Sequence, residues 1–85
     1  MEEWSVMTNW TMNERIGHML MMSRVDKKMS QTEVADRLGT SKSAVSYLET
    51  GKKNITVIEL MEFCSLYGAK WDDIIRDAAS QEKIS

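Results

Sequence analysis

Three glycines divide much of this chain, and no proline interrupts it anywhere. Gly39, Gly51 and Gly68 each follow a segment in which apolar residues recur at the spacing of a helix. Glycine readily adopts the left-handed backbone conformation that ends many helices, whereas proline would break a helix interior. A chain of 85 residues with this punctuation is expected to form one domain built from successive short helices.

Local signals predict where these helices begin. Thr11 and Ser30 are each followed three residues later by a glutamate, which is the spacing of a capping box, and Ser41 can cap the third segment. We therefore expect an all-α domain with five helices, at about 11–25, 30–38, 41–50, 56–67 and 71–79. The predicted organisation is an N-terminal extension over 1–10, a helical domain over 11–79 and a C-terminal tail over 80–85.

Composition argues against several classes of function. Cys64 is the only cysteine and His18 the only histidine, so the chain lacks the four ligands of a structural zinc site and cannot form an internal disulfide. No Gly-rich phosphate loop or Ser-His-Asp arrangement is present, and no apolar run approaches the roughly 20 residues of a membrane span. We expect a cytoplasmic protein that is not an enzyme, with no cofactor, metal, membrane contact or small-molecule ligand. Cys64 is expected to be buried, and His18 to lie at the surface.

Charge is unevenly distributed along the chain. The net charge is −2, yet residues 27–54 carry six basic and three acidic side chains, a local net of +3. The flanking segments 1–26 and 55–85 carry −2 and −3. A basic segment between acidic flanks is typical of a surface that attracts nucleic acid, although the total charge conceals it.

The two short helices around Gly39 and Thr40 have the features of a helix-turn-helix. Such a pair needs a small residue where the helices touch, and Ala35 provides it. Val45 and Leu48 are placed to anchor the second helix of the pair from behind. The front of that helix is then left free for a partner.

The front face of the third predicted helix carries hydrogen-bonding side chains and no acid. Positions i, i+1, i+4 and i+5 share one face of a helix. The major groove of DNA admits a helix and displays a distinct pattern of donors and acceptors for each base pair. The predicted base-reading residues are Lys42, Ser43, Ser46 and Tyr47. The competing interpretation is that they form only a solvated helix face.

Contacts to the phosphate backbone are predicted on both sides of this helix. Gln31 begins the second predicted helix, where free N–H groups and the positive end of the helix dipole favour an anion. Basic and amide side chains follow the third predicted helix. The predicted phosphate-contacting residues are Gln31, Ser41, Lys52, Lys53 and Asn54.

The segment SQTEVADRLGTSKSAVSYLETGK, from Ser30 to Lys52, resembles the helix-turn-helix of the phage lambda repressor and Cro family. The resemblance extends from about Glu14 to Ile75. It implies a five-helix domain that binds a palindromic double-stranded DNA operator as a dimer and regulates transcription, with repression the simpler outcome. It also implies that Gln31 contacts a phosphate and that Lys42, Ser43, Ser46 and Tyr47 read bases. Arg24 and Glu49 match a pair that forms an ion pair in some members.

Assembly and protein partners leave alternatives open. The apolar side of the fifth predicted helix is expected to form the homodimer interface, through Trp71, Ile74, Ile75 and Ala78. Trp4 and Trp10 either cover the core of their own chain or bury against a partner. The alternative function is an antitoxin or antirepressor module whose main partner is a protein.

Overall fold

The computed structural model describes residues 10–80, which form five helices joined by short turns. Trp4, like nearly all of the predicted N-terminal extension, and residues 81–85 of the predicted tail lie outside the described residues. Each helix end lies within one residue of its predicted position, and the expected all-α fold is confirmed. The helices are α1 (Met12–Asp26), α2 (Gln31–Leu38), α3 (Lys42–Glu49), α4 (Val57–Tyr67) and α5 (Trp71–Ser80).

Side-chain caps explain where the helices begin. Thr11 forms a complete capping box with Glu14, and Thr56 forms one with Glu59. In each box the threonine hydroxyl accepts from the glutamate backbone N–H while the glutamate carboxylate accepts from the threonine N–H. Ser30 caps α2 by accepting from the Glu33 N–H, but the reciprocal bond is not formed, so the box predicted there is only half present.

Helix α1 is the central element of the core. It packs on α3, α4 and α5, while α2 packs on α3. Ala35, Val45 and Leu48, the residues predicted to join the helix-turn-helix pair, are all buried. The rest of the buried apolar core consists of Ile16, Leu20, Val34, Leu60, Phe63, Cys64, Tyr67, Ile74 and Ala78.

Part of the predicted dimer interface is wrong. Ile74 is 7% exposed and Ala78 is 0% exposed, because the apolar side of α5 packs against α1 of the same chain. These two side chains belong to the chain's own core and offer almost no surface to a partner. Trp71 remains exposed and Ile75 half-buried, so only these two of the four predicted residues are left on the surface of α5.

The contact between Trp10 and α1 corrects one prediction. The ring of Trp10 meets the ring of His18 edge to face, with centroids 5.2 Å apart. Trp10 therefore covers α1 of its own chain. His18, which was expected at the surface, is half-buried beneath this contact. Cys64 is buried as predicted, and desolvation raises the pKa of its thiol.

Over residues 10–80, no helix combines the length and apolar character needed to cross a membrane. The same part of the chain contains no cluster of three or more His, Cys, Asp or Glu side chains arranged to hold a metal ion.

Candidate nucleic-acid interface

A three-residue turn sets the angle between α2 and α3. Gly39 ends α2 in the left-handed conformation, with φ of 69°, and the Thr40 N–H donates to the Ala35 carbonyl at 2.9 Å. Ser41 then begins α3, because its hydroxyl accepts from the Ala44 N–H at 3.0 Å. With Val45 and Leu48 buried, α3 is anchored by one face and presents the other outward.

The outward face of α3 brings the predicted base-reading residues together. Lys42, Ser43 and Tyr47 are exposed, and Ser46 is half-buried beside them. None of these four side chains forms a hydrogen bond or an ion pair with another residue of the described range 10–80. The face therefore presents hydrogen-bond donors, acceptors and one aromatic ring to an external group.

Lys52 lies where the chain leaves α3. Gly51 adopts a positive φ of 74°, and the Lys52 N–H donates to the Tyr47 carbonyl at 2.9 Å. A Cβ on Gly51 would come within 2.4 Å of Glu14 Cγ, so only glycine allows this close turn against α1. Lys52 is exposed and, like Lys42, has no ion pair within residues 10–80. The two free ammonium groups thus belong to the two ends of the α3 segment.

Lys53 and Asn54 already have partners inside the chain. Lys53 Nζ lies 3.1 Å from Glu59 Oε2, and Asn54 Oδ1 accepts from Asn13 Nδ2 at 2.9 Å. The backbone N–H of Thr56, followed by Lys53, holds the pKa of Glu59 below its usual value. The carboxylate of Glu59 therefore offsets the charge of Lys53, which weakens the case for Lys53 as an unhindered phosphate contact.

A network of partly buried side chains joins α1, α2 and α3. Arg24 Nε donates to Glu49 Oε2 at 2.7 Å, so the structure places the predicted ion-pair partners side by side. Gln31 Nε2 donates to Glu49 Oε1 at 2.9 Å, and Arg24 Nη1 donates to the Met29 carbonyl at 2.8 Å. Gln31, predicted to touch phosphate, is thus half-buried and bound to the end of α3.

Three residues that shape this surface were not singled out from the sequence. Glu59 had a signal, since Thr56 and Glu59 have capping-box spacing. Gly17, where α1 packs closely on α3, had a signal too, because a glycine inside a helical pattern can mark close packing. Asn13, whose Oδ1 accepts from the Ile55 N–H and whose Nδ2 donates to Asn54, had none, because both contacts join residues more than 40 positions apart.

Comparisons with known proteins agree with this geometry. A family model described as helix-turn-helix matches residues 20–74. Two crystal structures of the clp gene regulator ClgR from Corynebacterium glutamicum resemble the chain. The first is 27% identical with a TM-score of 0.81, and the match covers 91% of this chain and 100% of the ClgR chain. The second is 28% identical with a TM-score of 0.80, and the match covers 88% of this chain and 80% of the ClgR chain. No curated protein gives a significant sequence match.

Proposed function

The chain belongs to the helix-turn-helix family of lambda repressor and Cro type, and from that premise we propose that it represses transcription by binding a palindromic operator as a dimer. The observation that carries the proposal is the outward face of α3. Its side chains are available for hydrogen bonds, it bears no acid, and it is anchored from behind by buried residues. Residues 11–79 are proposed as the domain that does this, and no catalytic step is involved.

The charges on the described surface are compatible with DNA binding by an acidic protein. Lys42 and Lys52 are exposed and have no ion pair with any residue between 10 and 80; they lie at the start of α3 and just past its end. Asp72, Asp73 and Asp77 lie on α5, which packs chiefly on α1 and to a smaller extent on α4. Phosphate binding depends on the local potential more than on net charge. The negative total is therefore no barrier to binding.

We place the dimer contact mainly on the start of α4. Val57, Ile58 and Met61 are 61%, 70% and 46% exposed and share one face of the helix, whereas α5 offers only Trp71 and the half-buried Ile75. An uncharged apolar patch complements itself across a two-fold axis, where a charged patch would meet like charge. Because α4 follows α3 after a short loop, pairing here keeps both copies of α3 near one side of the dimer, as half-sites about 34 Å apart require.

The size of this patch sets the strength of the dimer. A standard stable interface buries about 800 Å² per partner, and three partly exposed side chains supply far less. The free chain should therefore pair weakly in solution, and the operator should hold two copies together.

Binding titrations with variants of α3 test the proposal. Lys42→Ala, Ser43→Ala and Tyr47→Ala should change sequence preference as well as affinity, because a good base contact contributes about 1–3 kcal/mol of discrimination. Lys52→Ala should weaken binding to all duplexes alike and reduce the salt slope by about one. Lys70→Ala, which removes the same charge before α5, is the control and should leave the slope nearly unchanged.

The contrary result is equally clear. If the three α3 variants stay folded and bind cognate and scrambled duplexes as the parent chain does, the face does not read DNA. The antitoxin or antirepressor function, with a protein as the main partner, would then replace this proposal.

A further inference from the structure

Glu49 occupies an unfavourable position for a carboxylate. It is the last residue of α3, at the end of the helix where the dipole disfavours negative charge, and its side chain is only 2% exposed. Arg24 compensates the charge, but a buried ion pair rarely stabilises a fold more than apolar side chains of the same volume would. Stability alone is therefore a weak reason for an acid at this position.

The contacts of Glu49 suggest a different role. Oε2 accepts from Arg24, while Oε1 accepts from Gln31 at 2.9 Å and from Arg24 Nη2 at 3.3 Å. An amide side chain has two N–H donors. One N–H of the Gln31 amide donates to Glu49, and no other residue between 10 and 80 accepts from the Gln31 side chain. Within the described part of the chain the second N–H of Gln31 therefore has no acceptor, and it can donate to a bound group.

We propose that Glu49 is a positioning residue, which holds the Gln31 amide in place so that its second N–H donates to a DNA phosphate. A glutamine side chain that is already held loses less conformational freedom on binding than a mobile one. Arg24 contributes to phosphate binding because its guanidinium offsets the charge of the Glu49 carboxylate, which would otherwise repel the phosphate. The inference rests on the proposed DNA-binding function.

The decisive comparison measures the effect of removing the Gln31 side chain when Glu49 is present and when it is absent. Gln31→Ala is made in the parent chain and in an Arg24→Met/Glu49→Met background, where apolar side chains fill the site of the ion pair. In the parent chain, losing a hydrogen bond to a charged phosphate should weaken binding about tenfold. In the Met/Met background the same change should cost less than about twofold, because the amide is no longer held. Affinity is titrated on a duplex carrying a site selected by the protein, at a temperature where circular dichroism shows every variant folded.

A conservative variant and a control separate positioning from general structure. Glu49→Gln keeps an acceptor for Gln31 without the charge, so Gln31→Ala should again cost close to its parental factor there. Lys42→Ala, whose side chain does not touch Glu49, should cost the same in every background.

Three results would overturn the inference. Equal costs of Gln31→Ala in the parent and Met/Met backgrounds would show that Glu49 does not position it. A parallel loss of the Lys42→Ala effect would show that the network holds α3 as a whole. A parent chain that binds no duplex would remove the proposed function itself, which the first two results leave intact.

Discussion

Gly17 lies in the middle of α1, against the last turn of α3. A Cβ at this position would come within 2.2 Å of the Leu48 carbonyl oxygen and 2.8 Å of the Glu49 carbonyl oxygen. Both atoms are backbone, so they cannot move aside without shifting α3. Glycine is tolerated here although it costs about 1 kcal/mol relative to alanine in a helix interior. Gly17 therefore sets how closely α1 supports the helix proposed to read DNA.

Gly17→Ala should lower the free energy of unfolding by about 3 kcal/mol, because overpacking outweighs the gain in helix propensity. Urea denaturation followed by circular dichroism measures the change. Met22→Ala, at an exposed position on the same helix, is the control and should change stability by about 0.5 kcal/mol or less. An unchanged or more stable Gly17→Ala protein would show that α1 and α3 are not held this close.

The hydroxyl of Tyr67 is buried and has no hydrogen-bond partner within the described residues 10–80. Burial, with a smaller contribution from the nearby Glu49 charge, raises the pKa of Tyr67 to about 12. Tyr67→Phe removes the unsatisfied group and should raise the free energy of unfolding at pH 7 by about 1 kcal/mol. Thermal or urea unfolding of the two proteins tests this directly.

The same residue predicts an alkaline instability. In the unfolded chain a tyrosine ionises near its ordinary pKa of about 10, whereas Tyr67 in the folded chain resists ionisation up to about 12. As the pH rises, the unfolded chain therefore loses the tyrosine proton before the folded chain does. The free energy of unfolding falls as the pH rises from about 10 to about 12. The loss should be smaller in Tyr67→Phe and undiminished in Tyr47→Phe, whose ring is exposed on α3. Identical alkaline profiles for all three proteins would contradict the assignment.

At the scale of the helices, local sequence signals are enough to predict where each helix begins and ends. They do not predict which distant residues a helix contacts. Capping residues and terminal glycines act within a few positions, so the helix bounds and the outward face of α3 could be predicted from the sequence. Amphipathic spacing shows that α5 has an apolar side but not what covers it, so the sequence alone cannot tell that Ile74 and Ala78 pack in the chain's own core and not against a partner. The link from Gln31 to Glu49 joins α2 to α3, so its geometry follows only from packing.

The pairing of Lys53 with Glu59 predicts a gain of function at the start of α4. Glu59→Gln removes the charge that offsets Lys53 but keeps an oxygen to accept from the Thr56 N–H. Surface ion pairs contribute up to about 1 kcal/mol, so freeing Lys53 should tighten DNA binding by about threefold and steepen its salt dependence.

Glu62→Gln is the matched control for this gain. It makes the same charge change one turn along α4, at an exposed residue that does not contact Lys53. Salt-dependent titrations compare the two variants. Equal effects would show that only net charge matters and that Lys53 has no specific role at the phosphate backbone.

For the whole molecule, the proposal of a weak dimer separates the two candidate contact surfaces. Ile58→Ser should weaken binding to a two-half-site operator about tenfold and leave binding to a single half-site unchanged, because it removes apolar contact between copies without adding charge. Trp71→Ala should have a smaller effect. Titrations on full and half-site duplexes measure both. The reverse order would place the contact on α5, and equal losses on both duplexes would show that Ile58 acts within one chain.

Selection of bound sites from random duplex DNA by the purified chain, followed by sequencing, tests directly whether α3 reads DNA. Two copies of α3 related by a two-fold axis should enrich a two-fold symmetric consensus with half-site centres about one helical turn apart, roughly 34 Å. The same selection with Tyr47→Ala should yield an altered or less specific half-site. Failure of the folded parent chain to enrich any sequence above the input library would contradict the claim that α3 reads DNA.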